Sequence, residues 1–405
     1  MENNKIKLIP REYYSNLLKK FMDRSIIKVL IGMRRSGKSS IMKLIINDLI
    51  KQNIPTDNIV YINKESLEFE EINTYKDLYN YVAKKLKTKT GSKYIFIDEV
   101  QEIAEWEKAV ISFYSENIGD IIISGSNSRL LSSELSTLLS GRYVELPVYP
   151  LTFKEFLKFR GDNLNIDEEF NNYLKYGGLP GIHQLIFEEE IIFNYLNSIL
   201  NTILYKDILI KYKIRDAALF DKVITYLFDN IGNITTAKKI ADFFKSQNIK
   251  VSVDTILNYF RYIESTFIID RIPRFDIKGK KLLEFYDKIF LNDIGLRNGL
   301  IGYKEKDINQ ILENIVYHHL KAMGYKVYIG KLNGFEIDFV VQKQNETKYI
   351  QVAYLLTDEK TVKREFGNLE KIKDNYEKIV ISLDKFFPQE IRGIKHIYLI
   401  DFLRF

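Results

Sequence analysis

The stretch Gly32-Met33-Arg34-Arg35-Ser36-Gly37-Lys38-Ser39 constrains the fold of this chain more than any other. It lies between a β-prone run, Ile26–Ile31, and a helix-prone run, Ser39–Gln52. A glycine-rich loop in that position turns successive backbone N–H groups inward at a helix N-terminus, which makes a cradle for a polyphosphate. Gly32, Arg34, Arg35, Ser36, Gly37, Lys38, Ser39 and Ser40 form the expected binding set. Lys38 is placed to reach β- and γ-phosphates, and the Ser39 hydroxyl to ligate Mg²⁺. The plain alternative is a glycine turn before a helix, and a second motif argues against it.

That motif is Tyr94-Ile95-Phe96-Ile97-Asp98-Glu99, four apolar residues ending in two carboxylates. In a parallel sheet a buried strand carries Asp98 to its C-terminal tip, beside the glycine loop. Asp98 is expected to hold Mg²⁺ through water, and Glu99 to orient and polarise the attacking water. A third strand, Ile121–Ser124, ends in Gly125-Ser126-Asn127. Asn127 is the preferred side chain for positioning that water and Ser126 the alternative, although strand ends are also polar for capping. After a helix expected over 129–140, Gly141-Arg142 precedes the strand Tyr143–Leu146. Arg142 is a candidate arginine finger acting on a neighbouring subunit, or else a basic residue complementing a helix C-terminus. The expected ligands are ATP and Mg²⁺, with ATP hydrolysed.

Strands at Ile26–Ile31, Ile59–Ile62, Tyr94–Ile97, Asp120–Ser124 and Tyr143–Leu146 alternate with helical stretches, so a parallel α/β sheet is expected for the first ~150 residues. At 405 residues the chain should form several units. It has no cysteine, which removes disulfides, thiol catalysis and thiolate zinc sites. Its four histidines show no ligand spacing. No apolar run is long enough to span a bilayer and the start has no signal-peptide core, so a cytoplasmic protein is expected. A net charge of +6 permits nucleic-acid binding without requiring it.

Helices are expected over Thr152–Arg160, Asp167–Tyr176, Glu189–Lys211, Ile234–Gln247 and Ser252–Ser265. The strands Phe267–Arg274 and Lys281–Tyr286 then flank a turn at Asp276-Ile277-Lys278-Gly279. Two helices and a basic hairpin read as a winged helix-turn-helix. Arg271, Arg274, Lys278, Lys280 and Lys281 could meet phosphates and Asn258 or Arg261 a groove, or the unit could serve for packing. A final helix near Ile311 precedes strand-like runs at Lys326–Ile329, Glu336–Gln342 and Lys348–Tyr354.

The glycine-loop octet, Ile97-Asp98-Glu99-Val100-Gln101 with Trp106-Glu107-Lys108, Ser124-Gly125-Ser126-Asn127-Ser128 and Leu139-Ser140-Gly141-Arg142 together resemble one family. It is the uncharacterised prokaryotic AAA+ ATPases with a C-terminal restriction-endonuclease-like domain of unknown function. Tyr176-Gly177-Gly178-Leu179-Pro180, Lys288 with Asp293-Ile294-Gly295-Leu296, Leu312-Glu313-Asn314 and Glu336-Ile337-Asp338-Phe339 agree with it. The resemblance covers essentially the whole chain. It implies an AAA+ P-loop core over 1–150, a helical lid over 151–230, a winged helix over 231–305 and a small α/β restriction-endonuclease-like domain over 306–405. Two positions depart from the family's pattern. Gly181 and Ile182 follow the turn that normally opens a lid helix bearing a phosphate-sensing arginine. In the tail, Glu313, Asp338 and Gln351 fill three nuclease positions, but Ala353 stands where that class carries its lysine. Lys363 on the next helix could compensate or could simply be solvated, and Glu336 is expected on the opposite strand face.

Three readings follow: an ATP-driven switch or motor on double-stranded DNA or a protein partner, assembling as a homo-oligomer; an ATP-gated DNA nuclease; and a scaffold that holds nucleotide as a structural ligand. The pair Asp98-Glu99 favours turnover over holding, and Ala353 weighs against cleavage.

Overall fold

The computed structural model describes residues 8–128, 139 and 141–405, with the backbone alone for 284–286. The helix expected over 129–140 lies, but for Leu139, outside the described residues. The chain divides into two compact units, one running to Tyr149 and including Ser265–Phe267, the other comprising Pro150–Glu264 and Ile268–Phe405.

The first unit holds α1 (Glu12–Phe21), β1 (Ile27–Ile31), α2 (Lys38–Lys51), β2 (Ile59–Asn63), α3 (Tyr75–Leu86), β3 (Tyr94–Asp98), α4 (Trp106–Ser115), β4 (Asp120–Gly125) and β5 (Tyr143–Pro147). The five strands form one parallel sheet in the order β2-β3-β4-β1-β5. Both faces are covered, so the strands read as continuous apolar runs and period-2 alternation divides them. Val29, Ile31, Ile95, Ile97, Ile121 and Ile123 face a core built with Leu78, Val82, Trp106, Val110 and Phe113 of α3 and α4. Leu30, Phe96, Ile122 and Leu146 face Tyr14, Leu18, Ile41, Met42 and Ile45 of α1 and α2. Lys28 interrupts β1 with a charge, and the chain answers it with Asp120 at the start of β4, which accepts from the Lys28 ammonium.

This strand order brings the tips of β1, β4 and β3 side by side. The chain leaves β1 for the far strand β2 and returns through β3 and β4, so the loops after β1 and β3 flank the tip of β4. That is where ligands bind in open α/β sheets.

The second unit begins with α5 (Phe153–Arg160), α6 (Ile166–Tyr176), α7 (Glu189–Thr202) and α8 (Ala217–Asp229). The single helix expected over 189–211 continues past Thr202 as a π-helical stretch, Ile203–Ile210. Then follow β6 (Ile234–Thr235), α9 (Ala237–Ser246), α10 (Val253–Glu264), β7 (Ile269–Asp276), β8 (Lys281–Leu291) and α11 (Ile294–Ile301). The rest is α12 (Ile308–Ala322), β9 (Lys326–Leu332), β10 (Phe335–Lys343), β11 (Glu346–Val352), α13 (Glu359–Glu370), β12 (Glu377–Ser382), β13 (Glu390–Ile391), β14 (Ile394–Tyr398) and α14 (Leu399–Arg404). Strands β6 to β14 make one sheet in the order β13-β14-β12-β11-β10-β9-β7-β8-β6. The basic hairpin is therefore part of the tail's sheet, because β7 pairs in parallel with β9 from Arg274↔Ile329 to Asp276↔Lys331.

Asp293 ties the glycine pair Gly177-Gly178 into this unit. Its carboxylate accepts from Gly178 N at 2.8 Å and from Leu296 N at 3.2 Å. A Cβ on Gly177 would lie 2.4 Å from Asp293 Oδ1, and one on Gly178 would lie 2.2 Å from Leu151 O. Burial pushes Asp293 up to about 7, against the pull of those N–H groups. The turn itself continues as a 3-10 helix, Pro180–Gln184. No helix among the described residues is long and apolar enough to cross a membrane.

Candidate functional site

The glycine loop joins β1 to α2 with three backbones at positive φ, Gly32 at +151, Arg35 at +66 and Gly37 at +103. Gly32 is sterically required, since a Cβ there would lie 2.2 Å from Val148 O. α2 starts at Lys38 with no side-chain cap and no acidic residue in its first turn, so its orphan N–H groups and dipole face an open loop. Ser36 Oγ is buried and has no hydrogen-bond partner among the described residues. An uncapped helix start and an orphaned hydroxyl in one loop fit an anion with many acceptor oxygens, as a triphosphate is.

Lys38 is buried and donates to Gly32 O at 2.9 Å and Met33 O at 3.0 Å. Burial lowers its pKa, against the opposing charges of Glu99 and Asp98. Arg34 is buried and pairs through Nη1 with Glu65 Oε1 at 2.6 Å. Arg35 and Ser40 are exposed, and Ser39 is half-buried at the start of α2. Behind the loop, buried Arg11 donates from Nη1 to Ser36 O at 3.0 Å and Tyr149 O at 2.8 Å. Arg11 bears no motif signal, and its partner Tyr149 lies far along the chain.

Asp98 ends β3 with both carboxylate oxygens engaged: Tyr61 Oη donates to Oδ2 at 3.1 Å, and Ser124 Oγ donates to Oδ1. Burial, and then the Asp98 charge, push the Tyr61 phenol up, so it remains a donor. The oxygens of Ser39 and Asp98 are hard ligands of the kind Mg²⁺ takes alongside phosphates and water. Glu99 follows, with Oε1 at 3.9 Å from Lys38 Nζ. Burial opposes its charge, but Lys38, the hydrogen bonds from Gln101 and Ser126, and Arg34 outweigh burial and hold it below the usual glutamate value. Ser126, the second choice in sequence, donates to Glu99 Oε2 at 2.8 Å. Asn127, the first choice, is buried at the next position.

Arg142 lies at the opposite end of the sheet. Its carbonyl accepts from Ile27 N, at the start of β1, and its guanidinium sits over the Tyr114 ring, 5.6 Å from the centroid. A five-residue strand, about 15 Å long, separates it from its own glycine loop.

The tail residues Glu313, Asp338 and Gln351 also converge, beside a cation to which the sequence assigns no role among them. Lys288 of β8 pairs with Glu313 at 3.1 Å and with Glu336 at 2.7 Å. The expectation that Glu336 lies on the opposite strand face is therefore corrected; residues 336 and 338 share a face, as period-2 alternation requires. Asp338 N donates to Gln351 Oε1 at 2.7 Å, and Asp338 Oδ2 accepts from Val352 N at 2.8 Å. Gln351 Nε2 donates to Glu365 Oε2 at 2.8 Å, so Glu365 is the α13 residue bonded to this cluster, while Lys363 is exposed. Burial works to strip the Lys288 proton, but Glu313, Asp338 and Glu336 outweigh it and hold the ammonium above the usual lysine value. Burial, then the Glu313 charge, push Asp338 well above the usual carboxylate range. Among the described residues no three His, Asp or Glu side chains are arranged to hold a metal ion.

In the hairpin, Arg271 is committed internally. It pairs with Glu264 at 3.0 Å and Asp287 at 3.6 Å and lies over the Phe260 ring. Lys278, Lys280 and Lys281 are exposed and Arg274 is half-buried. Arg261 donates to Asn258 Oδ1 at 3.4 Å.

Residues 24–157 match the family model of an AAA domain, and residues 167–307 match a domain of unknown function (DUF8612). An uncharacterized protein of Haemophilus influenzae is 37% identical over 399 residues, covering 98% of each chain. An uncharacterized protein of Methanocaldococcus jannaschii is 33% identical over 365 residues, covering 86% of this chain and 79% of its own. Among solved structures, the ORC1 protein of Aeropyrum pernix in complex with DNA aligns over 74% of this chain and 94% of its own, at 13% identity and a TM-score of 0.35.

Proposed function

Because the chain belongs to the family of AAA-domain proteins that includes these Haemophilus influenzae and Methanocaldococcus jannaschii relatives, we propose that it is a Mg²⁺-dependent ATPase that works as a switch or motor. The observation that carries this reading is the placement of Glu99 Oε1 3.9 Å from Lys38 Nζ, at the mouth of an uncapped α2. Lys38 and the loop amides would hold the β- and γ-phosphates, and Ser36 Oγ would find its missing partner there. Ser39, directly, and Asp98, through water, would hold Mg²⁺, which would supply positive charge at the phosphate oxygens. Glu99 takes a proton from water as the water oxygen bonds to the γ-phosphorus and the bridging P–O bond to ADP breaks. Lys38→Ala is expected to abolish saturable binding of Mg·ATP in calorimetry while the protein remains folded by circular dichroism. Retained binding would sink the assignment.

Arg142 could serve only a neighbouring copy, because its own loop lies across the sheet. Turnover per molecule is then expected to rise with protein concentration. Mixing Arg142→Ala with Lys38→Ala protein should restore part of the activity, since one interface regains both groups. Constant specific activity and no restoration would leave Arg142 as a surface cation.

The second unit is proposed to carry the output, contact with duplex DNA through Lys278, Lys280 and Lys281 or with a protein partner. Its β6–β8 part is read as a winged helix and its β9–β14 part as restriction-endonuclease-like. Lys288 occupies the carboxylates that a nuclease would give to metal, which favours a recognition role over cleavage.

A further inference from the structure

Glu99 is held under constraint. Its backbone is left-handed, φ +54 and ψ +50, a region that residues other than glycine rarely enter. Its N–H donates to Ser124 Oγ at 3.2 Å. The next three residues, Val100–Glu102, form a 3-10 turn in which Glu102 N donates to Glu99 O at 3.1 Å. That turn folds the Gln101 side chain back onto the carboxylate preceding it.

Gln101 Nε2 donates to Glu99 Oε2 at 2.5 Å and approaches Ser126 Oγ at 3.5 Å. Ser126 Oγ donates to the same Oε2 at 2.8 Å. Two donors thus saturate Oε2 and leave Oε1, the oxygen nearer Lys38, as the one free to receive a proton. At the other end of the amide, Gln101 Oε1 is buried and has no hydrogen-bond partner among the described residues. Flipping the amide would put that carbonyl against the Glu99 carboxylate, so charge alone fixes its orientation. A buried acceptor without a partner is costly and rare in folded proteins, and it marks a place where a water or ligand is received.

We propose that Gln101 is a positioning residue for hydrolysis: its amide N–H fixes Glu99 so that Oε1 faces the attacking water, and its Oε1 accepts that water's second hydrogen. The inference rests on the hydrolytic reading of the site given above. With one hydrogen on Glu99 and the other on Gln101, the water oxygen has a lone pair left for the γ-phosphorus. The proton passes to Glu99 as the new P–O bond forms, and the departing ADP keeps the electrons of the broken bridge.

Gln101→Met, close in size and without hydrogen bonds, tests this. Affinity for Mg·ATP is expected to stay within about twofold of the parent while kcat falls about 100-fold, because positioning acts on the reacting water and not on the bound phosphates. In a Glu99→Gln background the same change should cost no more than about twofold, since a water held by Gln101 then has no carboxylate left to take its proton. A kcat within twofold of the parent overturns the proposal. So does parallel loss of affinity and turnover, or a full second loss on top of Glu99→Gln, as either outcome describes packing and not positioning. A parent chain that neither binds nor hydrolyses ATP removes the hydrolytic reading itself. An active parent that is crippled by Glu99→Gln and indifferent to Gln101→Met removes this inference alone.

Discussion

Glu99→Gln is expected to bind Mg·ATP as the parent chain does and to turn it over about 10² to 10⁴ times more slowly. The amide keeps the size and planarity of the carboxylate but cannot take a proton at neutral pH. Binding should survive because the groups placed for the phosphates are Lys38, Ser36 and the uncapped start of α2, none of which depends on the Glu99 charge for its backbone position. Lys38 would lose a neighbour at 3.9 Å, too long for a direct hydrogen bond. The measurement is equilibrium binding of ATP beside steady-state phosphate release on the same protein. Turnover at the parental rate would mean that another residue activates the water. Loss of binding and turnover together would mean that Glu99 holds the loop in shape.

The separation of those two outcomes shows what the sequence made legible. The glycine loop and the Asp98-Glu99 pair are local signals: a strand, a few residues and a helix are contiguous, and backbone geometry follows from them. The parallel sheet follows from alternating strands and helices, and its register then sets Asp98 and Ser124 at neighbouring tips. What surrounds the pair was not legible. Gln101 returns to Glu99 through a left-handed residue that is not glycine, and no propensity announces such a turn. Arg11 reaches Ser36 and Tyr149 across distances in sequence at which pairing leaves no pattern.

In the second unit the hairpin and the helices α5, α6, α7, α9 and α10 lie near where their periodicity places them, whereas α8 (Ala217–Asp229) and α11 (Ile294–Ile301) have no counterpart in the sequence pattern, and Ile234–Thr235 is a strand and not the start of a helix. The strands Glu377–Ser382 and Ile394–Tyr398 were not read, and neither was the parallel pairing of β7 with β9. Joining the hairpin to the tail needs a contact between Arg274 and Ile329, which alternation in either segment alone cannot encode. The consequence falls on Lys288. In sequence it stands well before the carboxylates, and the missing cation was sought at Ala353 and Lys363, on the strand and helix of the tail itself. The sheet instead delivers it from β8, two strands away from Asp338's neighbour β9.

Lys288→Met is therefore expected to destabilise the second unit strongly, by about 3–5 kcal/mol, the cost of removing one partner from a buried ion pair. For a unit of this size that corresponds to a melting temperature lower by about 10 °C. Methionine fills much the same space, so the loss would be electrostatic and not a cavity. Glu313, Glu336 and Asp338 would face each other with no cation, with Glu365 behind Gln351 adding to the negative charge. The sign of the pH dependence follows. Burial already holds Glu313 and Asp338 above the usual carboxylate values, and Lys288 pulls both down. Without Lys288 their folded values rise further, and an acid whose folded pKa exceeds its unfolded one loses stability as pH climbs from the unfolded value to the folded one. In the parent at low pH, the ammonium is itself left without its ionised partners. The deficit of Lys288→Met should therefore be larger at pH 8 than at pH 5, and thermal melts of both proteins at the two values would measure it. A deficit independent of pH would show that Lys288 contributes through the packing of its aliphatic stem. No deficit at all would show that the carboxylates are as well solvated without it.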